Sequence, residues 1–195
     1  AMGELQLATG MRPGELYILR PADIDRSSDV WQFQPTQHKN QNREQERIVY
    51  IGPKAQEILR PYLLRDCEAF CFSPADGERQ RLAILHEARK TPINYGNRPG
   101  TNRKAKPKRT KGERYTPQSY LVAVRRACDK AFPVPADLAD DPAAVEKWQT
   151  EHRWSPNQLR HAMATRVRRE AGIEAAKTLL GHSQLNTTGI YAEQD

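Results

Sequence analysis

Apolar and polar positions follow two periods along this chain, and the changes of period mark its elements. Residues 30–35 (VWQFQP) and 47–52 (RIVYIG) alternate with a period of two, as strands with one covered face do. The polar stretch between them reads as a long hairpin connection. Ahead of the pair, TGMRPGELYILRPADID predicts a helix. Thr9 and Gly10 precede an apolar-periodic run through Leu16, Ile18 and Leu19, and Pro21 closes it. Helical spacing resumes at Pro53 and continues to residue 66. Proline and glycine then punctuate residues 73–114, where only 79–90 fit a short helix and the rest reads as loop.

The last third is helical. Thr116-Pro117 opens a helix to Ala131, and Asp141-Pro142 one to His152. Ser155-Pro156 opens a third, which stops at Gly172, and 173–180 form a fourth, which stops at Gly181. Thr187 or Thr188 caps a last short helix bearing Tyr191. The sum is a mainly α domain with a small antiparallel β-sheet, an α+β fold without internal repeats.

At 195 residues the chain has the length of one domain with room for a core. No run of about 18 apolar residues offers a membrane span, and the first residues do not form a secretory signal. Three cysteines (Cys67, Cys71 and Cys128) are too few and too odd in number for a disulfide framework. They read as buried or half-buried thiols in a reducing cytoplasm, with Cys67 and Cys71 spaced as helix neighbours. No His or Cys near them completes a metal-ligand set.

Charge changes the picture more. The chain carries a net +7. Residues 89–114 hold ten Lys or Arg against one acid, Glu113, a local balance of +9, so the remainder of the chain sums to −2. Such a patch reads as a polyanion contact, with Arg98, Arg103, Lys104, Lys106, Lys108, Arg109 and Lys111 as its candidate phosphate-facing residues. The competing reading is a solvated basic loop.

Four places carry candidate chemistry: Arg12 in TGMRPGEL, Lys39 in the hairpin connection, Asn157 with Arg160 in SPNQLRH, and His182 with Tyr191 in LGHSQLNTTGIYAEQD. Asn157 and Arg160 share a helix face. His182 and Tyr191 lie nine residues apart, two and a half helical turns, so they meet only if the segment between them bends. Cutting a phosphodiester without a metal needs cations on the non-bridging oxygens, and two arginines from separate helices supply them. A histidine completes the cradle. A lysine can protonate the leaving 5′ oxygen, and a tyrosine can attack phosphorus. Each residue taken alone also has a plainer reading, as a surface cation, a helix cap or a docking aromatic.

The order of these motifs closely resembles the tyrosine recombinase, or phage-integrase, family. TGMRPGEL, a hairpin lysine, LRH, LLGHS and a tyrosine nine residues after the histidine follow one another over nearly the whole chain. The resemblance implies a catalytic domain of a site-specific DNA recombinase. It would form a 3′-phosphotyrosyl link to double-stranded DNA and leave a free 5′ hydroxyl, with no metal or nucleotide cofactor. Arg12 and Arg160 then match the phosphate-binding arginines, Lys39 the hairpin general acid, His182 the second-motif histidine and Tyr191 the nucleophile. Lys54 and Arg43 compete with Lys39 if the hairpin register differs. Glu15 falls where the family often has an acid that orients the first arginine.

Asn157 departs from the family's usual His or Lys. Asparagine can donate a hydrogen bond to a phosphate but cannot carry a proton near pH 7, so the tyrosine proton needs another route, through His182 or water. His161 reads as a packing or supporting residue. Arg12 lies only eleven residues from the start, so the expectation is an isolated catalytic domain over 1–195. It would carry a basic insertion at about 89–114 and lack an N-terminal core-binding domain. Such a domain would be cytoplasmic and associated with a mobile element, multimeric on DNA when full length and monomeric as this piece. A degenerate, non-cleaving DNA-binding module and a type IB topoisomerase are the alternatives.

Overall fold

The computed structural model describes residues 1–35, 47–92, 95 and 112–181. Among them are seven helices: α1 (Met2–Thr9), α2 (Pro13–Tyr17), α3 (Pro53–Leu59), α4 (Pro74–Glu87), α5 (Pro117–Ala131), α6 (Pro142–His152) and α7 (Pro156–Leu180). Three short strands, β1 (Ile24–Asp25), β2 (Trp31–Phe33) and β3 (Val49–Ile51), form one antiparallel sheet in that order. Phe33 pairs with both Ile24 and Val49, and Trp31 with Ile51.

Proline stands in the first turn of six of these helices, from α2 to α7. Its missing N–H is no loss there and its fixed φ suits the helix. At α5 the Thr116 hydroxyl accepts from the Ser119 N–H, and at α6 the Asp141 carboxylate accepts from the Ala143 N–H. Both helices therefore begin where the capping residues predict, and they end at Ala131 and His152 as expected.

The core lies between α1, α2, the sheet, α3 and α5. Leu5, Met11, Leu16, Leu19, Phe33, Ile51 and Leu59 are fully buried in it. Within β3, Val49 and Ile51 face inward while Tyr50 is exposed. Burying one such Leu, Ile or Phe side chain is worth roughly 1.5–3 kcal/mol. α1 rests on α7, α3 and β3, so the first helix ties the sheet to the last.

The structure differs from the sequence expectations in four places. Thr9 closes α1 rather than opening the next helix: its hydroxyl donates to the Leu5 carbonyl, and Gly10 caps the end in the left-handed conformation. The residue that opens α2 is Arg12. The helix expected to run from Pro53 to residue 66 ends at Leu59, because Pro61 has no N–H to continue it and a single tight turn follows. α4 begins at Pro74, earlier than the expected 79, because Ser73 caps it by accepting from the Ala75 N–H. Cys67 lies in a turn and is exposed, whereas Cys71 and Cys128 are buried.

α7 is two helices. Gly172 has φ 85° and ψ 171°, a combination open essentially to glycine alone, and the chain reverses there. No helix of the described residues is long and apolar enough to cross a membrane.

The Gly10 hinge gives a direct test of how α1 meets α7. Gly10 has φ 66°, and a Cβ there would stand 3.1 Å from the Leu179 Cδ2. Gly10→Ala should therefore lose about 1–2 kcal/mol in urea unfolding. Gly14→Ala is the control, because a Cβ at that position meets nothing within 4 Å. Equal losses in the two variants would refute this account of the hinge.

Candidate active site

Arg12 sits at the mouth of α2. Its backbone N–H donates to Glu15 Oε2 at 2.7 Å, and its guanidinium Nη1 donates to Glu15 Oε1 at 2.9 Å. The side chains differ in depth, Glu15 being 2% exposed and Arg12 23%. The carboxylate is fixed inside the fold, and the cation it steers reaches the surface.

Glu15 holds a second arginine that sequence reasoning missed. Arg47, just ahead of β3 and 4% exposed, donates from Nε to Glu15 Oε1 at 3.1 Å and from Nη2 to Oε2 at 3.4 Å. Its Nη1 reaches the Leu179 carbonyl at 3.1 Å and the Ile48 carbonyl at 3.1 Å. A signal for it was present in the pattern. Residues 47, 49 and 51 share one phase of the period-two alternation, and Val49 and Ile51 are buried, so Arg47 occupied an inward position.

Arg160, the second predicted arginine, is 2% exposed. Its Nη1 donates to the Gly10 carbonyl at 2.5 Å and its Nη2 to the Leu180 carbonyl at 2.7 Å. Twenty residues along one straight helix would put Arg160 and Leu180 about 30 Å apart. The reversal at Gly172 is what brings them together. The last carbonyls of a helix have no partner inside it, and the negative end of its dipole attracts cations. Arg47 and Arg160 both answer that need at 179–180. Arg12 joins the same place indirectly, through Glu15 and Arg47.

Asn157 opens out from α7. Its Nδ2 lies 3.0 Å from His161 Nε2, one helical turn on. The amide and ring form a donor–acceptor pair. Lys54 is an exposed residue in the first turn of α3. Lys39 and its competitor Arg43, His182, Tyr191, and the basic candidates Arg98, Arg103, Lys104, Lys106, Lys108, Arg109 and Lys111 lie outside the described residues. Of the basic stretch, Arg114 rests over the Phe70 ring at 5.5 Å.

Burial holds three tyrosines of the described residues in the neutral form. Burial pushes the Tyr17 phenol up to about 12 and raises Tyr115 and Tyr120 as well, which opposes the ionisation that attack on phosphorus requires. Tyr120 instead donates to Gln6 Oε1 at 3.2 Å.

Burial alone would raise the pKa of the Glu15 carboxyl, but Arg47 and then Arg12 outweigh it, and the net shift is downward from 4.5. A carboxyl with a depressed folded-state pKa adds stability above its unfolded pKa and loses it as pH falls through the folded one. Glu15→Gln should therefore cost about 3–5 kcal/mol near pH 7, the scale for breaking a buried ion pair. The gap to wild type should close as pH drops below about 4.5. Urea midpoints of both proteins between pH 7 and pH 3 check this, and a gap independent of pH would contradict it.

Comparison with known proteins places this geometry. The phage integrase family model matches residues 1–195. Tyrosine recombinase XerC of Pelotomaculum thermopropionicum is 28% identical over 192 residues, covering 98% of this chain and 48% of its own length. Tyrosine recombinase XerD of Caulobacter vibrioides is 30% identical over 152 residues, covering 75% of this chain and 47% of its own. The chain thus spans about half the length of the relatives it matches. Among solved structures, XerH recombinase bound to its difH substrate superposes with a TM-score of 0.52 at 19% identity, covering 100% of this chain and 42% of that one. The Tn1549 transposon integrase with circular intermediate DNA gives 0.53 at 17% identity, covering 99% and 54%. These structural likenesses speak for the fold, and the match of the family model along the entire sequence establishes that the chain belongs to the phage integrase family of tyrosine recombinases.

Proposed function

We propose that this chain is the catalytic domain of a site-specific DNA recombinase that cleaves and rejoins double-stranded DNA through a 3′-phosphotyrosyl intermediate. The observation that carries the reading is the convergence at the end of α7. Arg160 and, through Glu15 and Arg47, Arg12 are both tied to the carbonyls of residues 179–180, with Gly181 alone between these and His182 in the sequence. Arg12 and Arg160 grip the non-bridging oxygens of the scissile phosphate, and the ring of His182 adds a third donor. The Tyr191 phenolate oxygen attacks phosphorus and the bond to the 5′ oxygen breaks. Lys39 gives that oxygen its proton, leaving a 5′ hydroxyl. Attack by a 5′ hydroxyl on the phosphotyrosyl bond reverses the step and frees the tyrosine. This chemistry asks for no metal or nucleotide. The domain works in the cytoplasm, and its full-length protein assembles as a multimer on DNA.

A nicked suicide DNA substrate tests this. Wild type should leave an SDS-stable protein–DNA adduct and Tyr191→Phe none. If both bind DNA and neither is captured, the domain is a DNA-binding module without cleavage. Asn157→His, which restores a group able to take a proton, should raise the rate of adduct formation by about 100-fold, the lower end of the range for a positioned acid–base. An unchanged rate would place the proton route elsewhere.

The basic stretch has its own test. Each phosphate contact it supplies should steepen the fall of log K with log salt by about 0.9. Deleting 98–112 should make that slope shallower, and an unchanged slope would mean a solvated loop.

A further inference from the structure

We infer that Arg47 is a positioning residue for both arms of this site, setting Arg12 through Glu15 and holding the end of α7 with the same guanidinium. The inference rests on the recombinase reading for its catalytic consequence, but the interlock itself is a matter of contacts. The Glu15 carboxylate is shared: Oε1 accepts from Arg12 Nη1 and Arg47 Nε, and Oε2 from the Arg12 backbone N–H and Arg47 Nη2. With both oxygens occupied, the carboxylate has one orientation, and Arg12 takes its direction from it. On its other edge Arg47 reaches the Leu179 carbonyl, 132 residues away in sequence.

A second observation fixes Arg47 against the same turn. A Cβ on Gly181 would stand 2.8 Å from Arg47 Nη1 and 3.2 Å from its Cδ. Gly181 has φ 63°, so glycine is required there twice, once for the backbone and once for the approach of the arginine. Lysine cannot replace the fork. A single ammonium on a flexible stem can pair with Glu15 or reach Leu179, but it lacks the planar array that does both. Arg47 touches neither the reacting atoms nor, in this reading, the phosphate. Its effect is on geometry, where displacement by about 1 Å can cost a hundredfold in rate.

Two measurements test the inference. The first needs no activity: amide hydrogen exchange in Glu15→Gln, a change that does not touch α7. Exchange at residues 177–181 should accelerate about tenfold relative to wild type as the tie through Arg47 loosens, and an unaltered rate there overturns the interlock. The second is adduct formation on the suicide substrate at saturating DNA. Arg47→Met should slow it about 100-fold while shifting DNA affinity less than about threefold, and Arg47→Lys, the variant more certain to fold, should fall between. A neutral methylphosphonate at the scissile position, which asks less of Arg12, should narrow the gap. Rates within about threefold of wild type in the folded variants, or a loss confined to DNA affinity, would overturn the positioning role. If wild type and Tyr191→Phe alike give no adduct, it is the recombinase reading that fails, and the exchange measurement still decides the interlock.

Discussion

A buried guanidinium must find acceptors for its donors, because desolvating the charge costs several kcal/mol unless it is paired and hydrogen-bonded. Arg160 meets that demand with main-chain oxygens, the carbonyls of Gly10 and Leu180. The pairing serves both sides. The terminal carbonyls of the segment 173–180 need donors as much as the arginine needs acceptors. Since Gly10 lies two residues before Arg12, the same side chain also fixes the turn from which the first arginine emerges. Three parts of the chain distant in sequence are thereby registered on one cation.

That constraint explains the glycines that matter. Gly172 reverses α7 so that Leu180 returns to Arg160, Gly181 caps it in the left-handed conformation against Arg47, and Gly10 lets α1 end against Leu179 and Leu180. Each has a positive φ, and at Gly10 and Gly181 a side chain would also strike its neighbour. Anchoring Arg160 removes the rotamer freedom that would otherwise have to be lost when the substrate arrives.

Most of the framework was legible in the sequence because its signals are local. Thr116-Pro117, Asp141-Pro142 and Ser155-Pro156 marked three helix starts, and Gly172 and Gly181 two ends, since capping and φ preference act within a few residues. Where several such signals compete, the local reading slipped. Thr9 is as good a helix starter as a finisher, and only the contact of Gly10 with α7 decides between them. Ser73-Pro74 is a cap as clear as the others, yet the glycine at 77 made its helix read as loop. Arg12, Glu15 and Arg160 were legible through motif order. Arg47 was not, because its meaning comes from Glu15 and Leu179, 32 and 132 residues away. Its inward phase in the strand pattern was the one local trace it left.

Asn157 bears on how the chemistry divides among these groups. In the proposed reaction Arg12 and Arg160 stabilise charge and cannot accept a proton, since a guanidinium does not deprotonate in this range. An amide cannot accept one either. The phenol's proton must therefore leave through an imidazole or water, and the structure ties one imidazole, His161, directly to the amide. In the proposed site Asn157 orients a phosphate oxygen by hydrogen bonding, without titrating. The proposed reaction thereby divides the two demands of phosphodiester cleavage: charge stabilisation falls to arginines hydrogen-bonded into the fold, and proton transfer to groups other than these.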